Sequence, residues 1–233
     1  RKNMGSSKAY QLFESYIKKI NPKNKIFVLK LDMSKYFYNI DHQTLKRIIR
    51  KKIKDKDALN IIDKIIDETD ASYVNEQIKF LKENEIKKIK TKKITELQKQ
   101  KLIEEINRIP YYEKGKGLAI GNICSQVFAV FFLNEVDHFF KEILKCKYYV
   151  RYMDDIVVLD RNRENLQAIL NQISIKLNDY CLKLNTKSNI FILNNGFTFL
   201  GYTYKIKYKL CKKPRNITFH KIRKKLKYTK KQD

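Results

Sequence analysis

Two adjacent carboxylates at the tip of an apolar hairpin constrain this chain more than any other feature in it. Tyr152-Met153-Asp154-Asp155 lies between two strand-type runs, Lys147–Tyr152 (KYYVRY) and Ile156–Leu159 (IVVL). Like charges a few Å apart repel, and the usual relief is a divalent cation or a raised pKa. A second apolar run, Ile26–Asp32 (IFVLKLD), also ends on a carboxylate. A fold that delivers Asp32 and Asp154 to one place makes an oxygen-rich pocket suited to Mg²⁺, of the kind that supports two-metal phosphoryl or nucleotidyl transfer. The alternative for an Asp-Asp pair taken alone is an ordinary solvated hairpin tip.

Charge narrows the partner. The chain carries 51 Lys and Arg against 25 Asp and Glu, a net charge of +26, with 43% hydrophobic residues left to build a core. Such an excess of like charge weakens an isolated fold and favours a polyanionic partner. Nucleic acid is preferred, because 15 Tyr and 13 Phe are present to stack on bases. The bland reading is a biased composition whose lysines only solvate the surface. A membrane is not expected as a partner: the longest apolar run, Val127–Leu133, is far below the roughly 18 residues needed to span one. The cysteines (Cys124, Cys146, Cys181 and Cys211) form no CxxC pair, so reduced thiols and a cytoplasmic location are expected. The apolar neighbours of Cys124 point to a buried thiol there. The length suits one large domain or two small lobes.

Periodicity supplies the order of elements. Ala9–Ile20 has helical spacing, and Asn21-Pro22 ends it. After the Ile26–Asp32 strand, Asp41 or Thr44 caps a helix with Leu45, Ile48, Ile49 and Ile53 on one face. Ala58–Ile66 reads as a short helix. Val74–Arg108 has no Gly or Pro and reads as one or two long surface helices, an insertion expected to hold much of the positive charge. Lys114–Gly121 (KGKGLAIG) is a glycine-bearing loop before a helix predicted over Ser125–Ile143, with Val127, Phe128, Phe131, Phe132, Val136 and Phe139 apolar. Beyond the acidic hairpin, Asn165–Tyr180 is amphipathic. Short strands are predicted at Leu182–Asn185, Asn189–Leu193 and Phe197–Lys205, with the last two joined by a hairpin at Asn194-Asn195-Gly196. The order suggests a ferredoxin-like α+β sheet with helices on one face.

In order and wording these segments resemble the palm of reverse transcriptases, RNA-directed DNA polymerases, from about Ile26 to Tyr204. Lys30–Asp41 (KLDMSKYFYNID) resembles the first catalytic motif and Gly117–Gln126 (GLAIGNICSQ) the nucleotide- and template-contacting loop and helix. Arg151–Asp155 (RYMDD) resembles the catalytic hairpin, Leu182–Lys187 (LKLNTK) a later palm motif, and Phe199–Tyr202 (FLGY) the primer grip. One YxDD string recurs by chance; five motifs in the right order do not. Within the superfamily the resemblance is to prokaryotic enzymes: diversity-generating retroelement, group II intron-like, and retron or antiviral-defence types.

The resemblance implies a right-hand polymerase palm with partial fingers and a truncated thumb. It implies Asp32 and Asp154 as ligands of two Mg²⁺ ions, with Mn²⁺ as a substitute, and Met33 supplying a backbone carbonyl. Asp155 belongs to the same catalytic set, whether as ligand or as orienting group. Lys187 stands as general acid for pyrophosphate or as a phosphate contact, against the default of a solvent-facing lysine. Phe37, five residues after Asp32, would lie under the incoming sugar and clash with a 2′-hydroxyl. Tyr36 and Tyr38 flank it, and a plain core aromatic is the alternative for all three. Ile120, Gly121 and Gln126 would contact the nucleotide or template; many relatives have Gln and Pro where this chain has Ile120 and Gln126. This form resembles the diversity-generating enzymes and is consistent with relaxed fidelity. Phe199, Leu200, Gly201 and Tyr202 would hold the primer.

The expected organisation is a partial fingers segment (residues 1–24), a first palm part (25–50), a Lys-rich helical insertion (51–112), the palm with catalytic hairpin and primer grip (113–210), and a basic tail opening the thumb (211–233). Arg1, Lys2 and Lys8 resemble the triphosphate-gripping fingers, and Lys221–Lys231 the first turns of a thumb. A complete enzyme of this type extends beyond both ends. The partners implied are an RNA template, a DNA or RNA primer, deoxynucleoside triphosphates and an unidentified accessory protein. The competing reading is a catalytically idle nucleic-acid-binding remnant.

Overall fold

The computed structural model describes residues 5–20, 25–68, 72–206 and 210–215. They form α1 (Ser6–Ile20), β1 (Phe27–Leu31), α2 (Tyr36–Asn39), α3 (His42–Lys52), α4 (Lys56–Asp67), α5 (Ser72–Thr91), α6 (Glu96–Asn107), α7 (Ile123–Phe132) and α8 (Asn134–His138). Then follow β2 (Tyr149–Tyr152), β3 (Asp155–Asp160), α9 (Arg163–Asn178), β4 (Asn189–Ile192), β5 (Phe197–Phe199), β6 (Tyr202–Ile206) and β7 (Leu210–Pro214). The chain divides into two compact units. The first draws on Arg1–Met33, Glu135–Leu177 and Lys183–Asp233, the second on Ser34–Asn134 and Asn178–Leu182. Arg1, Lys2 and Lys221–Lys231 lie outside the described residues.

The first unit is built on an antiparallel sheet ordered β2-β3-β1-β4. With α9 between β3 and β4 this is the ferredoxin-like order, so the α+β expectation holds. Ile156, Val157, Val158 and Leu159 of β3 are all buried. Successive strand residues point to opposite faces, so both faces of this central strand are covered. One face presents Val28, Val150, Val157 and Leu159 to Phe13, Ile17 and Ile20 of α1 and to Phe197, Phe199 and Tyr204. Phe13 anchors that layer, its ring 5.0–5.8 Å from those of Phe197, Phe199 and Tyr204.

Three strand expectations give way here. Phe197–Lys205, predicted as one run, is a hairpin: Phe199 pairs with Tyr202, and Leu200 (φ 46°) and Gly201 (φ 83°) make the two-residue turn. Positive φ at both central positions is the type I′ geometry that matches strand twist. Conversely, the Asn194-Asn195-Gly196 segment is not a hairpin turn. Leu193–Asn195 is a 3₁₀ turn that passes the chain from β4 in the larger sheet to β5 in a separate β5-β6-β7 sheet. Leu182–Asn185 contributes only an isolated bridge, Met33 to Leu184.

The predicted helix over Ser125–Ile143 is three pieces: α7, α8 and a π-helical turn, Phe139–Ile143. The π-turn seats Phe140 in the interior, stacked on Tyr149 with centroids 4.6 Å apart. Val127, expected on the apolar face, is 60% exposed, while Ala129 and Phe132 are buried. Cys124 is only partly covered; the buried thiol is Cys146.

In the second unit Asp41 caps α3 by accepting from Thr44 N at 2.7 Å. Lys46 and Arg50 of α3 pair with Asp67 and Asp63 of α4. α5 and α6 realise the two surface helices, and α6 has no buried residue and starts on a Thr95–Gln98 capping box. The insertion does not hold the positive charge. Residues 51–112 contain 15 basic and 12 acidic residues, a net +3, whereas 1–50 and 211–233 carry +9 each. Among the described residues no helix is long and apolar enough to cross a membrane.

Candidate active site

Register places the carboxylates. β1 and β3 pair as Leu31 with Ile156, and β2 closes on β3 at Tyr152 and Asp155, leaving Met153-Asp154 as the turn. Asp32 therefore leaves β1 at the edge of the sheet where the β2–β3 turn stands. Their proximity shows in the electrostatics. Burial pushes the Asp154 carboxyl above its ordinary value, and the neighbouring charges of Asp155 and Asp32 push it further, against a lowering by Lys30. Lys30, which the sequence reading passed over, sits on the same strand face as Asp155, with Nζ 3.6 Å from its carboxylate.

The turn is braced from beneath. Arg151 Nε donates to Asp137 Oδ1 at 2.6 Å, Nη2 pairs with Asp137 Oδ2, and Nη1 donates to Met153 O at 3.0 Å. Tyr149 OH also donates to Asp137 Oδ1, at 2.5 Å. Burial and the Asp137 carboxylate hold that phenol well above its ordinary value. This fixes Met153, whose φ of 56° lies in the left-handed region that a non-glycine residue rarely occupies.

Asp32 is clasped through its backbone. Its N–H donates to Ser188 Oγ at 3.0 Å; its carbonyl accepts from Asn185 N at 2.7 Å and from Ser188 Oγ at 3.1 Å. The Leu182–Lys187 motif thus works through Asn185 and its neighbour Ser188, which the sequence reading missed. Lys187 is exposed, and its backbone N–H donates to Asn185 Oδ1. Met33 is 3% exposed beside Leu184.

The remaining predicted residues divide between the units. In the first, Phe199 is buried against Phe13, whereas Leu200, Gly201 and Tyr202 are half-buried at the β5–β6 turn. In the second, Tyr36 is committed to the interior, its hydroxyl donating to Ala129 O at 2.5 Å. Phe37 is half-buried, and its carbonyl accepts from Leu118 N at 2.8 Å, which joins α2 to the glycine loop. Gly117 must be glycine: a Cβ would come within 2.4 Å of the Tyr112 ring. Ile120, Gly121 (φ 102°) and Gln126 are exposed, and nothing lies within 4 Å of a Cβ at Gly121.

Among the described residues no three His, Cys, Asp or Glu side chains converge as a protein-only metal cage. Mg²⁺ in nucleotide-processing sites is held by one or two carboxylates, with water and substrate phosphates completing its shell. The mutual repulsion of Asp154, Asp155 and Asp32 fits that requirement.

The chain spans only part of the proteins it matches. A yeast (Saccharomyces cerevisiae) COX1/OXI3 intron 2 protein is 24% identical over 201 residues, covering 76% of this chain and 24% of that protein. Apo telomerase from Candida tropicalis, truncated from its C-terminal domain, superposes with a TM-score of 0.52 at 18% identity, over 89% of this chain and 39% of that one. Telomerase from Candida albicans, in complex with a fragment of telomeric RNA, gives 0.53 at 14% identity, over 90% and 33%. At these identities the telomerase structures show a shared fold. The family model described as reverse transcriptase (RNA-dependent DNA polymerase) matches residues 4–204, most of the length. With that match and the ferredoxin-like sheet, the chain belongs to the reverse transcriptase family.

Proposed function

We propose that this chain is the palm-bearing part of an RNA-directed DNA polymerase that extends a primer 3′-hydroxyl with deoxynucleotides on an RNA template. The observation that carries this reading is the strand register that brings Asp32, at the end of β1, beside the Asp154-Asp155 pair of the β2–β3 turn, with Lys30 3.6 Å from Asp155. Asp32 and Asp154 would hold two Mg²⁺ ions, or Mn²⁺, with the Met33 carbonyl and Asp155 in the same set. Ions held there would supply a lowered pKa for the primer hydroxyl and neutralising charge for the departing pyrophosphate.

The chain's own residues do the rest. Arg151 and Asp137 hold Asp154 in place, and Asn185 and Ser188 hold Asp32. Lys30, 3.6 Å from the Asp155 carboxylate, supports an orienting role for Asp155 over a full ligand role. Lys187, exposed on the loop that clasps Asp32, would meet a phosphate or protonate pyrophosphate. Leu200, Gly201 and Tyr202 hold the primer. Phe37 excludes a 2′-hydroxyl, and Ile120, Gly121 and Gln126 face the nucleotide or template. The +9 segments at residues 1–50 and 211–233 supply phosphate contacts. Among subtypes the intron-type reading is favoured, because the yeast relative is described as an intron protein; Ile120 and Gln126 are what support the diversity-generating type.

Primer extension by the full-length gene product tests this reading. The expected result is Mg²⁺-dependent DNA synthesis on RNA that Asp154→Asn abolishes, and hybrid binding that weakens steeply with salt. Hybrid binding without synthesis in the wild-type protein would establish the idle-remnant alternative.

A further inference from the structure

We propose that Lys212 is a positioning residue for the primer-grip turn: from β7 it ties Tyr202, which closes the Leu200-Gly201 turn, to Tyr10 and Glu14 of α1, and so sets where that turn holds the primer. The inference rests on the primer-grip reading above. It concerns a strand past residue 204, where the family match ends.

The geometry is specific. Lys212 Nζ lies 2.7 Å from Glu14 Oε1, and 3.9 Å and 4.2 Å from the ring centroids of Tyr10 and Tyr202, with Tyr204 at 5.9 Å. The Tyr10 and Tyr202 rings meet edge-on, 5.5 Å apart at 63°. One ammonium thus serves a helix and a hairpin that are remote in sequence. Attraction between an ammonium and a tyrosine face grows as water is excluded, and the Lys212 and Glu14 side chains are only 29% and 26% exposed.

The backbone of β7 works on the same turn. Tyr204 pairs with Lys212 and Tyr202 with Pro214. Proline has no N–H to offer the ladder; the next residue, Arg215, donates its N–H to Gly201 O at 2.9 Å. β7 therefore holds the turn by a main-chain bond and its closing tyrosine by a charge. The lysine stem packs whether or not it ends in a charge. What the ammonium adds to that packing is a charge over the Tyr202 and Tyr10 rings, paired with Glu14.

The test uses Lys212→Met and Lys212→Arg in the full chain, with a hybrid carrying 2-aminopurine at the primer 3′ end. Lys212→Met is expected to raise KM for the hybrid about tenfold with KM for nucleotide unchanged. It should also shift the 2-aminopurine fluorescence of the metal-free complex, while Lys212→Arg restores both. Wild-type hybrid KM and fluorescence in Lys212→Met would overturn the proposal, as would a loss spread evenly over primer and nucleotide that Lys212→Arg does not recover. Leu200→Ala separates the two levels. If it leaves both readouts unchanged, the grip reading fails and the proposal with it; if it shifts them while Lys212→Met is silent, the proposal alone fails.

Discussion

The β2–β3 and β5–β6 hairpins of the sheet-bearing unit each turn in two residues, and each places a non-glycine residue in the left-handed region, Met153 at φ 56° and Leu200 at φ 46°. That conformation costs roughly 1–2 kcal/mol for an L-residue, so each turn persists because something else holds it. Both are held by the same trio: a cation, a carboxylate from a helix, and a tyrosine hydroxyl. Under Met153 the trio is Arg151, Asp137 and Tyr149. Behind Leu200 it is Lys212, Glu14 and Tyr204. The difference lies in how each cation acts. Arg151 uses a planar fork on Asp137 and reaches the turn's own carbonyl, whereas Lys212 is a point charge held between ring faces. The turn proposed to present a reacting carboxylate is fixed by directed hydrogen bonds. The one proposed to hold the primer is fixed by looser ring contacts.

The largest effect should separate chemistry from positioning. On the proposed two-metal reading, Asp154→Asn should lower single-turnover primer extension by about 1,000-fold or more, since it would remove a metal ligand and with it transition-state stabilisation. Leu200→Ala should change the rate at saturating hybrid less than about threefold and act on hybrid KM. Asp155→Asn should fall between Asp154→Asn and wild type, because Lys30 already neutralises part of its charge. Equal losses in Asp154→Asn and Leu200→Ala would erase the distinction between the hairpins.

The braces should differ in stability as well. The Arg151 side chain is 11% exposed, and removing it strands Asp137 in a half-buried site. Arg151→Met should therefore cost about 3 kcal/mol in urea unfolding. Lys212→Met keeps an apolar stem against the tyrosines and should cost about 1 kcal/mol or less. A Lys212→Met loss as large as that of Arg151→Met would make the second brace a fold element rather than a setting for the turn.

Much of this was legible in the sequence because side-chain period and acidity are local signals. Ile26–Asp32, the Tyr152–Asp155 tip and the Leu45/Ile48/Ile49 face declare themselves within a few residues. The β5–β6 hairpin did not. Leu200 is a β-type residue in an apolar run, and only the register of Phe199 on Tyr202 reveals a turn. The braces were illegible for another reason. Asp137 with Arg151, Glu14 with Lys212 and Ser188 with Asp32 join residues 14 to 198 positions apart, and a single sequence carries no record of such pairings. Ser188 had one local cue, its place just after the Leu182–Lys187 motif.

Smaller effects follow from the turns themselves. Met153→Gly removes left-handed strain and should stabilise the unit by about 1 kcal/mol. Leu200→Gly removes the same strain but also a side chain packed against the core, so its gain should vanish or reverse. Urea unfolding of the pair checks this. An equal gain at both positions would mean that Leu200 contributes no packing.

The smallest effect is a pH dependence, and it ranks the two tyrosines. Burial, then the Asp137 carboxylate, raises Tyr149 well above 10; burial, then Glu14, raises Tyr204. A phenol whose folded pKa exceeds its unfolded value contributes stability that is complete below about pH 10 and is lost as pH rises towards the folded value. Stability from these two groups should accordingly be level between about pH 7 and 9 and fall above about pH 10. The Tyr149 hydroxyl lies 2.5 Å from its acceptor and that of Tyr204 3.4 Å, so ionisation strains the first trio more. Tyr149→Phe should remove more of the alkaline fall than Tyr204→Phe, and absorbance at 295 nm, compared between the two variants, should show Tyr149 ionising after Tyr204. Should Tyr204 ionise last instead, the ring-held brace would be the drier and tighter of the two, and the ranking drawn from hydrogen-bond geometry would reverse.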